Sequence, residues 1–378
     1  MSYELCRRQF LKAGVGLIAG IGSAVMFGDR AVVLAQPARQ TSQTKNTLYT
    51  KGRYLFDSSG QKIVLRGINL PLLDDWNFPQ SDKLAELAKT GANAVRIQWY
   101  KDYGQPTRPA YSLQNLDNFL AKCKANKIVP IVGLYDLTCK SDATLLNTQL
   151  IPWWTSEPVL AVLKKHQRYL IVNLANELGV YRWASNSVAA LEAYKTSYKN
   201  AIASIRQHLQ VPIAIDAPDC GTSIEVFAKI AQELLDADPD RNLLFSGHAY
   251  WVGYDGMSHL NAIVQANLPL FFGEIANKQD ESIAGETKYC YYDLDGDREN
   301  NQPQTDFTYQ AFLTLLKEQE IGWLAWSWWP DNCAKRKMTG DGNFSGLTPY
   351  GDDLVNNPVY GLKATAQRST AFGVRSIN

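Results

Sequence analysis

Short apolar runs rich in β-branched residues recur along the chain, each followed by an amphipathic stretch. Eight runs stand out: 63–69, 93–99, 128–136, 169–177, 212–218, 242–250, 268–275 and 322–328. Near-continuous apolar runs are what strands covered on both faces require. Between them, helical spacing of apolar positions predicts helices over 81–90, 113–126, 157–167, 188–209, 223–236, 257–267 and 305–320, with a last helix near 362–367. Strand–helix alternation implies a parallel sheet. Eight units over about 300 residues fit an α/β fold of the closed kind, a (β/α)8 TIM barrel forming a single domain. An open doubly wound sheet is the alternative, and eight even units without a Gly-rich first turn count against it. Ahead of these units, Tyr54-Leu55-Phe56, a turn at Asp57-Ser58-Ser59-Gly60 and Lys62-Ile63-Val64-Leu65 predict a hairpin.

Polarity gathers at the carboxyl ends of the runs. Arg96, Tyr135-Asp136, Asn176-Glu177, Asp216, His248, Tyr250, Glu274 and Trp326-Ser327-Trp328 all sit there. Barrel chemistry collects at that end of the strands. Glu177 ends the fourth run and Glu274 the seventh, each after strongly apolar residues, so both should be partly desolvated. Strands four and seven lie nearly across a barrel mouth, where two carboxylates can flank one substrate atom. Two carboxylates astride a scissile bond are the machinery of glycoside hydrolysis, and their separation decides between retention and inversion. Arg96 can hold one carboxylate ionised, as a nucleophile needs. The other must keep a proton, which takes burial and a neighbouring negative charge. The competing readings are two unrelated edge carboxylates, a structural ion pair at Arg96 and a core histidine at His248. His248 and Tyr250, two residues apart, can both point into the mouth.

The remaining features narrow the class. The formal charge of the 378 residues is +1, which gives no reason to expect nucleic acid or anionic lipid as a partner. Ten Trp and nineteen Tyr suit the apolar faces of sugar rings, though large cores hold aromatics too. Cys6-Arg7-Arg8-Gln9-Phe10-Leu11-Lys12 reads as a twin-arginine signal, followed by an apolar stretch over 13–27 and a small-residue cleavage site at Val33-Leu34-Ala35. The expected organisation is a signal peptide over 1–35, a polar linker over 36–48 and a catalytic domain over 49–378. The destination is the periplasm or the outside of the cell, with no membrane contact after signal removal. A membrane anchor is the alternative, but the apolar stretch falls short of the roughly 20 residues a span needs. Cys6 would leave with the signal, so Cys123, Cys139, Cys220, Cys290 and Cys333 remain, an odd number. Cys290 and Cys333 fall in the loops after strands seven and eight, adjacent in a barrel, and are the expected pair. Asp293, Asp295, Asp297 and Glu299 resemble a calcium loop but lack the Gly of an EF-hand, so a solvated acidic loop is expected, with no metal and no cofactor. No HExxH, P-loop or GxSxG pattern occurs, which argues against zinc proteolysis, nucleotide hydrolysis and lipase chemistry.

Taken together, the strand-end residues resemble family 5 of the glycoside hydrolases, in the large retaining (β/α)8 clan. Arg66-Gly67-Ile68-Asn69 resembles the family's first strand and Asn93-Ala94-Val95-Arg96 its second. Asn176-Glu177 resembles the acid/base pair, His248-Ala249-Tyr250 the sixth-strand His/Tyr, Gly273-Glu274 the nucleophile and Trp326-Ser327-Trp328 the eighth-strand platform. The match runs from about Lys51 to Lys363. The resemblance implies retention. Glu274 attacks the anomeric carbon, and Glu177 protonates the leaving oxygen. Asn176 holds the sugar 2-OH, while Arg96 and Tyr250 hold Glu274. His248 lines the site, and Trp326 floors the sugar, with Trp328 as the alternative floor. Tyr135 stands where family members usually carry His. Leu178-Gly179 follows the acid/base where cellulase-type members have Pro, which looks closer to the bacterial β-mannanase branch. The expected activity is endo-acting hydrolysis of a β-1,4-linked mannan or glucan by a monomer, with polysaccharide or oligosaccharide as substrate. The rivals are a catalytically silent carbohydrate-binding barrel and an enzyme that trims oligosaccharides from the end. Exposed Trp99, Trp251 and Trp329 along an open cleft would favour endo action.

Overall fold

The computed structural model of the chain describes residues 46–71, 83–101, 112–295 and 307–373. Eight parallel strands close into a barrel: β1 (Arg66–Pro71), β2 (Ala94–Trp99), β3 (Val129–Leu134), β4 (Ile171–Asn173), β5 (Ile213–Asp216), β6 (Leu243–His248), β7 (Leu270–Ile275) and β8 (Gly322–Ala325). Each pairs with the next, and β8 returns to β1 with Leu324 opposite Gly67. Helices α1 (Leu84–Ala88), α2 (Leu113–Ala125), α3 (Glu157–His166), α4 (Ser187–Arg206), α5 (Glu225–Ala237), α6 (Gly256–Gln265), α7 (Tyr309–Glu318) and α8 (Pro349–Asn356) follow the strands one by one. Their starts carry side-chain caps of the usual kind. Ser112, Asn186, Asp255 and Thr308 each accept a backbone N–H three residues on.

The period of two along each strand places the site. Residues facing the barrel axis are apolar at the amino ends and polar two or four positions later: Ala94 then Arg96 and Gln98, Ile171 then Asn173, Ala214 then Asp216, Leu244 then Ser246 and His248. The apolar level packs as one cluster with Leu324, Phe271 and Ile131. A three-stranded antiparallel sheet (Tyr49–Lys51, Tyr54–Phe56, Lys62–Ile63) contributes Leu55 and Ile63 to the same cluster. It contains the expected hairpin. Residues of opposite parity, such as Val95, Ile97 and Trp99, join a second, larger cluster with the helices. Both levels being dry at the amino end, polar groups are available at the carboxyl end.

Four features depart from the sequence reading. The run at 169–177 is strand only over Ile171–Asn173, and residues 174–177 leave the ladder. A helix missed by the apolar pattern, α8, starts at Thr348, whose Oγ accepts from Gly351, with Pro349 at its first position. Its Tyr350 hydroxyl donates to Ile275 O and lies equally close to Trp326 O, both at 3.1 Å, tying the ends of β7 and β8. The loop after β7 is a β-hairpin, Lys278–Ile283 against Glu286–Asp293. Its two-residue turn is Ala284-Gly285, both with positive φ, as a tight hairpin turn demands. Finally, Asp293 and Asp295 do not stand free in solvent. Both pair with the Nζ of buried Lys278, Asp295 at 3.0 Å. Asp297 and Glu299 lie outside the described residues, as do the segment read as a signal and most of the linker.

Cys290 and Cys333 are bridged, with Cα atoms 5.3 Å apart, as their loops implied. A second bridge joins Cys139 to Cys220. Cys123 is buried in α2 and belongs to neither. Among the described residues, no helix is long and apolar enough to cross a membrane.

Candidate active site

Arg96 stands at the centre of the polar level, fully enclosed. Its Nη1 donates to Glu274 Oε1 at 2.8 Å and to Asn69 Oδ1 at 3.2 Å, and also to the Tyr135 hydroxyl. Its Nη2 donates to Asn173, to Asn176 Oδ1 at 2.6 Å and to Asp216 Oδ2 at 3.0 Å. An enclosed guanidinium needs such a complete set of acceptors, because an unpaired buried charge is costly. One side chain on β2 thus fixes residues from β1, β3, β4, β5 and β7.

Glu274 lies one residue beyond a bulge that interrupts β7 on both edges, between Phe272 and Glu274 toward β6. Bulges re-aim side chains at such places. Its Oε2 accepts from the Tyr250 hydroxyl at 3.0 Å, and its Oε1 also accepts from Tyr135 at 3.3 Å. Burial pushes this carboxyl above its ordinary range, and the facing Glu177 adds to that. His248, Arg96 and the Tyr250 hydrogen bond pull the other way.

Glu177 sits past the end of β4 in a left-handed backbone conformation, φ 51°. Its N–H donates to Asp216 Oδ2 at 3.2 Å, and the N–H of Asn176 donates to Leu134 O at 2.7 Å. The carboxyl is pushed up to about 8 by burial, then by the charge of Asp216, against the pull of Arg96. Its Oε1 lies 2.7 Å from His248 Nδ1. Burial lowers the imidazole, against the pull of Glu274 and Asp216, which favours its neutral form. His248 fits only because of two glycines. A Cβ at Gly221 would stand 2.5 Å from its ring, and one at Gly273 2.9 Å from Nε2.

One oxygen of Glu177, one of Glu274 and one ring nitrogen of His248 lie within 4.8 Å of one another. Such a trio could ligate a metal ion, but each donor already has a partner: Glu274 takes Arg96, and Glu177 and His248 take each other. The cleft above them measures about 750 Å³. Gln98 and Tyr100 line it toward β2; Arg182, Trp183 and Tyr254 line it toward β4 to β6. The hairpin after β7 adds Gln279–Ser282.

The structure brings seven of the nine residues named from the sequence together. Glu177, Glu274, Arg96, Asn176, Tyr250, Tyr135 and Trp326 meet at one mouth. Trp326 lies half-buried in the cleft wall, its indole N–H donating to Asp331 Oδ2 at 2.8 Å, and the Tyr135 ring stacks 6.5 Å away. Three expectations need correction. His248 does not line the cleft: it is fully buried behind Glu177. Trp328 is core, with its N–H on Gly342 O, so it is no alternative floor. Trp99 and Trp251 are each 1% exposed and pack against the helix layer. The exposed cleft tryptophan is instead Trp183, at 62%.

Several site residues went unrecognised. Asp216 was visible as a polar strand end, but nothing local tells that it would hold Arg96 and the Glu177 backbone. Asp331 accepts from both Trp326 and Arg336. Arg336 reaches on to Asp280 of the hairpin at 2.9 Å. These partners are far apart in sequence and carry no motif.

Close carboxylate pairs at the mouth of a barrel, one with a raised proton affinity and one against a cation, belong to enzymes that break glycosidic bonds, and the fold and site define a (β/α)8 glycoside hydrolase. The chain belongs to the cellulase family, glycosyl hydrolase family 5, whose model matches residues 56–332. It is 26% identical over 338 residues to a mannan endo-1,4-beta-mannosidase of Salipaludibacillus agaradhaerens, covering 86% of this chain and 95% of that one. A mannan endo-1,4-beta-mannosidase of Streptomyces lividans is 26% identical over 369 residues, covering 94% and 86%. Among solved structures, the mannohexaose complex of Thermomonospora fusca beta-mannanase superposes with a TM-score of 0.68 at 22% identity, covering 86% of this chain and 99% of that one. At that identity the likeness speaks for the fold.

Proposed function

We propose that the protein is an exported, retaining endo-β-1,4-mannanase. The carrying observation is the carboxylate pair: oxygens of Glu177 and Glu274 lie within 4.8 Å, near the separation of about 5–5.5 Å at which one carboxylate attacks directly. Arg96 and two phenols favour an ionised Glu274, so it serves as nucleophile. Burial and Asp216 favour a protonated Glu177, so it serves as acid. In the first step a Glu274 oxygen bonds to the anomeric carbon as the bond to the leaving oxygen breaks. The Glu177 proton goes to that oxygen. In the second step Glu177 takes a proton from water, whose oxygen displaces Glu274. Asn176 Oδ1 accepts from Arg96 Nη2, and its amide nitrogen donates one hydrogen to Thr138 Oγ1 at 3.1 Å, leaving the other for the sugar 2-OH. Trp326 floors the reacting sugar. Mannan as substrate and endo action follow the activities for which the relatives are named, and a cleft lined on both sides of the carboxylates suits an internal bond. Export rests on the Arg7-Arg8 segment.

The test is the protein from residue 36 onward on soluble mannan, glucomannan, β-glucan and xylan, with products resolved by size. A ladder of manno-oligosaccharides is expected. Monosaccharide release from chain ends would overturn endo action, preference for β-glucan would overturn the substrate, and no hydrolysis would revive a silent binding barrel.

A further inference from the structure

The Cys139–Cys220 bridge spans the loops after β3 and β5, which flank the end of β4. Around it the backbone is stitched to the same point. Cys139 N–H donates to Glu177 O at 3.1 Å, Gly179 N–H to Lys140 O at 2.8 Å and Asp219 N–H to Gly179 O at 3.0 Å. Cys139, Glu177, Asp219 and Cys220 all have φ between 51° and 56°. Left-handed non-glycine residues each cost on the order of 1 kcal/mol or more and tend to cluster where function requires them. Both cysteines line the cleft.

The two oxygens of Glu177 meet different neighbours. Oε1 is committed to His248. Oε2 lies 3.1 Å from Cys139 Sγ. A bridged sulfur carries no hydrogen, so it occupies space at Oε2 without stabilising a negative charge there. Hydrogen bonds to the charged form are what would lower a carboxyl's proton affinity. The charged and titratable groups around Glu177 are Asp216 from β5, His248 from β6, Glu274 from β7, Arg96 from β2, and the phenols of Tyr135 and Tyr250. The Arg96 nitrogens donate to Glu274, Asp216, Asn173, Asn176, Asn69 and Tyr135, not to Glu177.

We propose that the Cys139–Cys220 disulfide is a positioning element for the acid, its sulfur walling off Oε2 so that this oxygen keeps its proton for the leaving group. The proposal rests on reading Glu177 as the acid. The sulfur covers Oε2 on one side only, and this is the oxygen left for the substrate, because Oε1 is tied to His248.

The experiment compares two substitutions of the bridge. Cys139→Ser/Cys220→Ser puts hydroxyls of similar size beside Oε2, one of which can donate to it. The basic limb of kcat/KM on mannan should then fall by about one pH unit. Near pH 9 its kcat/KM on mannan should stand about tenfold below that of the unsubstituted enzyme, while a dinitrophenyl β-mannoside, whose leaving group needs no proton, stays within about twofold. Cys139→Val/Cys220→Ala breaks the link but keeps an apolar wall, so its basic limb should stay with the unsubstituted enzyme. An unmoved limb in the Ser pair, equal losses on both substrates, or a shifted limb in the Val/Ala pair overturns the proposal. Near-UV circular dichroism checks folding, and Cys139→Ser/Cys220→Ala, which keeps the hydroxyl nearest Oε2, takes the place of the Ser pair if that pair does not fold. Glu177→Ala in the same assays separates two kinds of failure. If it lowers kcat/KM equally on both substrates, Glu177 is not the acid; if it spares kcat/KM on the activated mannoside while the Ser pair leaves the limb in place, only the role of the bridge is lost.

Discussion

Arg96 Nη1 and Glu274 Oε1 lie 2.8 Å apart with both side chains shut away from solvent. The pair also leans on Asp216, 3.0 Å from Nη2. Removing the cation would leave two carboxylates buried without a partner. Arg96→Met should therefore cost about 3–5 kcal/mol of stability, read as a lowered denaturation midpoint. It should also abolish turnover of activated and unactivated substrates alike, since Glu274 would then hold a proton. A stable, active Arg96→Met enzyme would refute this role.

Glu177 contributes a pH dependence of known sign. Its folded-state value of about 8 stands above the ordinary 4.5. The folded protein therefore binds this proton more tightly than the unfolded chain. That stabilisation is fully present below about pH 4.5 and is lost as pH rises through about 8. Glu177→Gln keeps the shape and never ionises. It should match the parent protein's melting temperature near pH 4.5 and exceed it near pH 9, with each unit of pKa difference worth about 1.4 kcal/mol. Equal melting temperatures at both pH values would show that the carboxyl titrates normally.

Tyr135 tests how a phenol serves in place of the histidine that family members usually carry there. Its hydroxyl donates to Glu274 Oε1 at 3.3 Å and accepts from Arg96. Tyr135→Phe keeps the ring against Trp326 and removes two hydrogen bonds to charged groups, each worth about 1.5–3 kcal/mol. Turnover should fall roughly ten- to hundredfold with KM little changed. A rise in KM at unchanged kcat would make Tyr135 a substrate contact instead.

The hairpin after β7 is held from below by Cys290–Cys333 and Arg336–Asp280. The bridge closes a separation of 43 residues, so opening it in Cys290→Ser/Cys333→Ser should cost about 2–4 kcal/mol. Gln279 to Ser282 form part of the cleft wall, so KM for mannan should rise more than kcat falls. Kinetics on long and short oligosaccharides would show it, with the shortest substrates least affected. A loss in kcat alone would place the hairpin outside substrate binding.

What the sequence disclosed follows from what is local. Strand periodicity was enough for the barrel and for Arg96 and Tyr250, because a parity of two fixes where each points; motif order named Glu177 and Glu274, which a left-handed residue past β4 and a bulge in β7 turn toward the mouth. The same parity separates Trp99 from Gln98 and Trp251 from Tyr250: one neighbour faces the axis, the other the helices. The tryptophans were misplaced by weighing residue type over parity. Asp216, Asp331, Arg336 and the Cys139–Cys220 bridge were hidden for another reason. Their roles exist only through partners from other strands, and closure of the barrel brings those together. The hairpin was hidden because Ala284-Gly285 is not among the common hairpin-turn pairs.

The two glutamates should differ in kind when removed. Glu274→Ala removes the atom that bonds to the sugar, so every substrate should lose turnover. Glu177→Ala removes only a proton donor and later a base. General acid catalysis is worth roughly 10²–10⁴-fold, and an activated aryl glycoside does not draw on it, because its leaving group departs as a stable anion. The first step of Glu177→Ala on that substrate should be spared, with the covalent sugar then waiting for a nucleophile. Azide, small enough for the vacated space and needing no base, should release it as the β-glycosyl azide. Kinetics of both variants with and without azide, and the configuration of the azide formed, are the measurements. A β-azide from Glu274→Ala and an α-azide from Glu177→Ala would show that Arg96 guards the acid and His248 backs the nucleophile, the reverse of the assignment made from their hydrogen bonds.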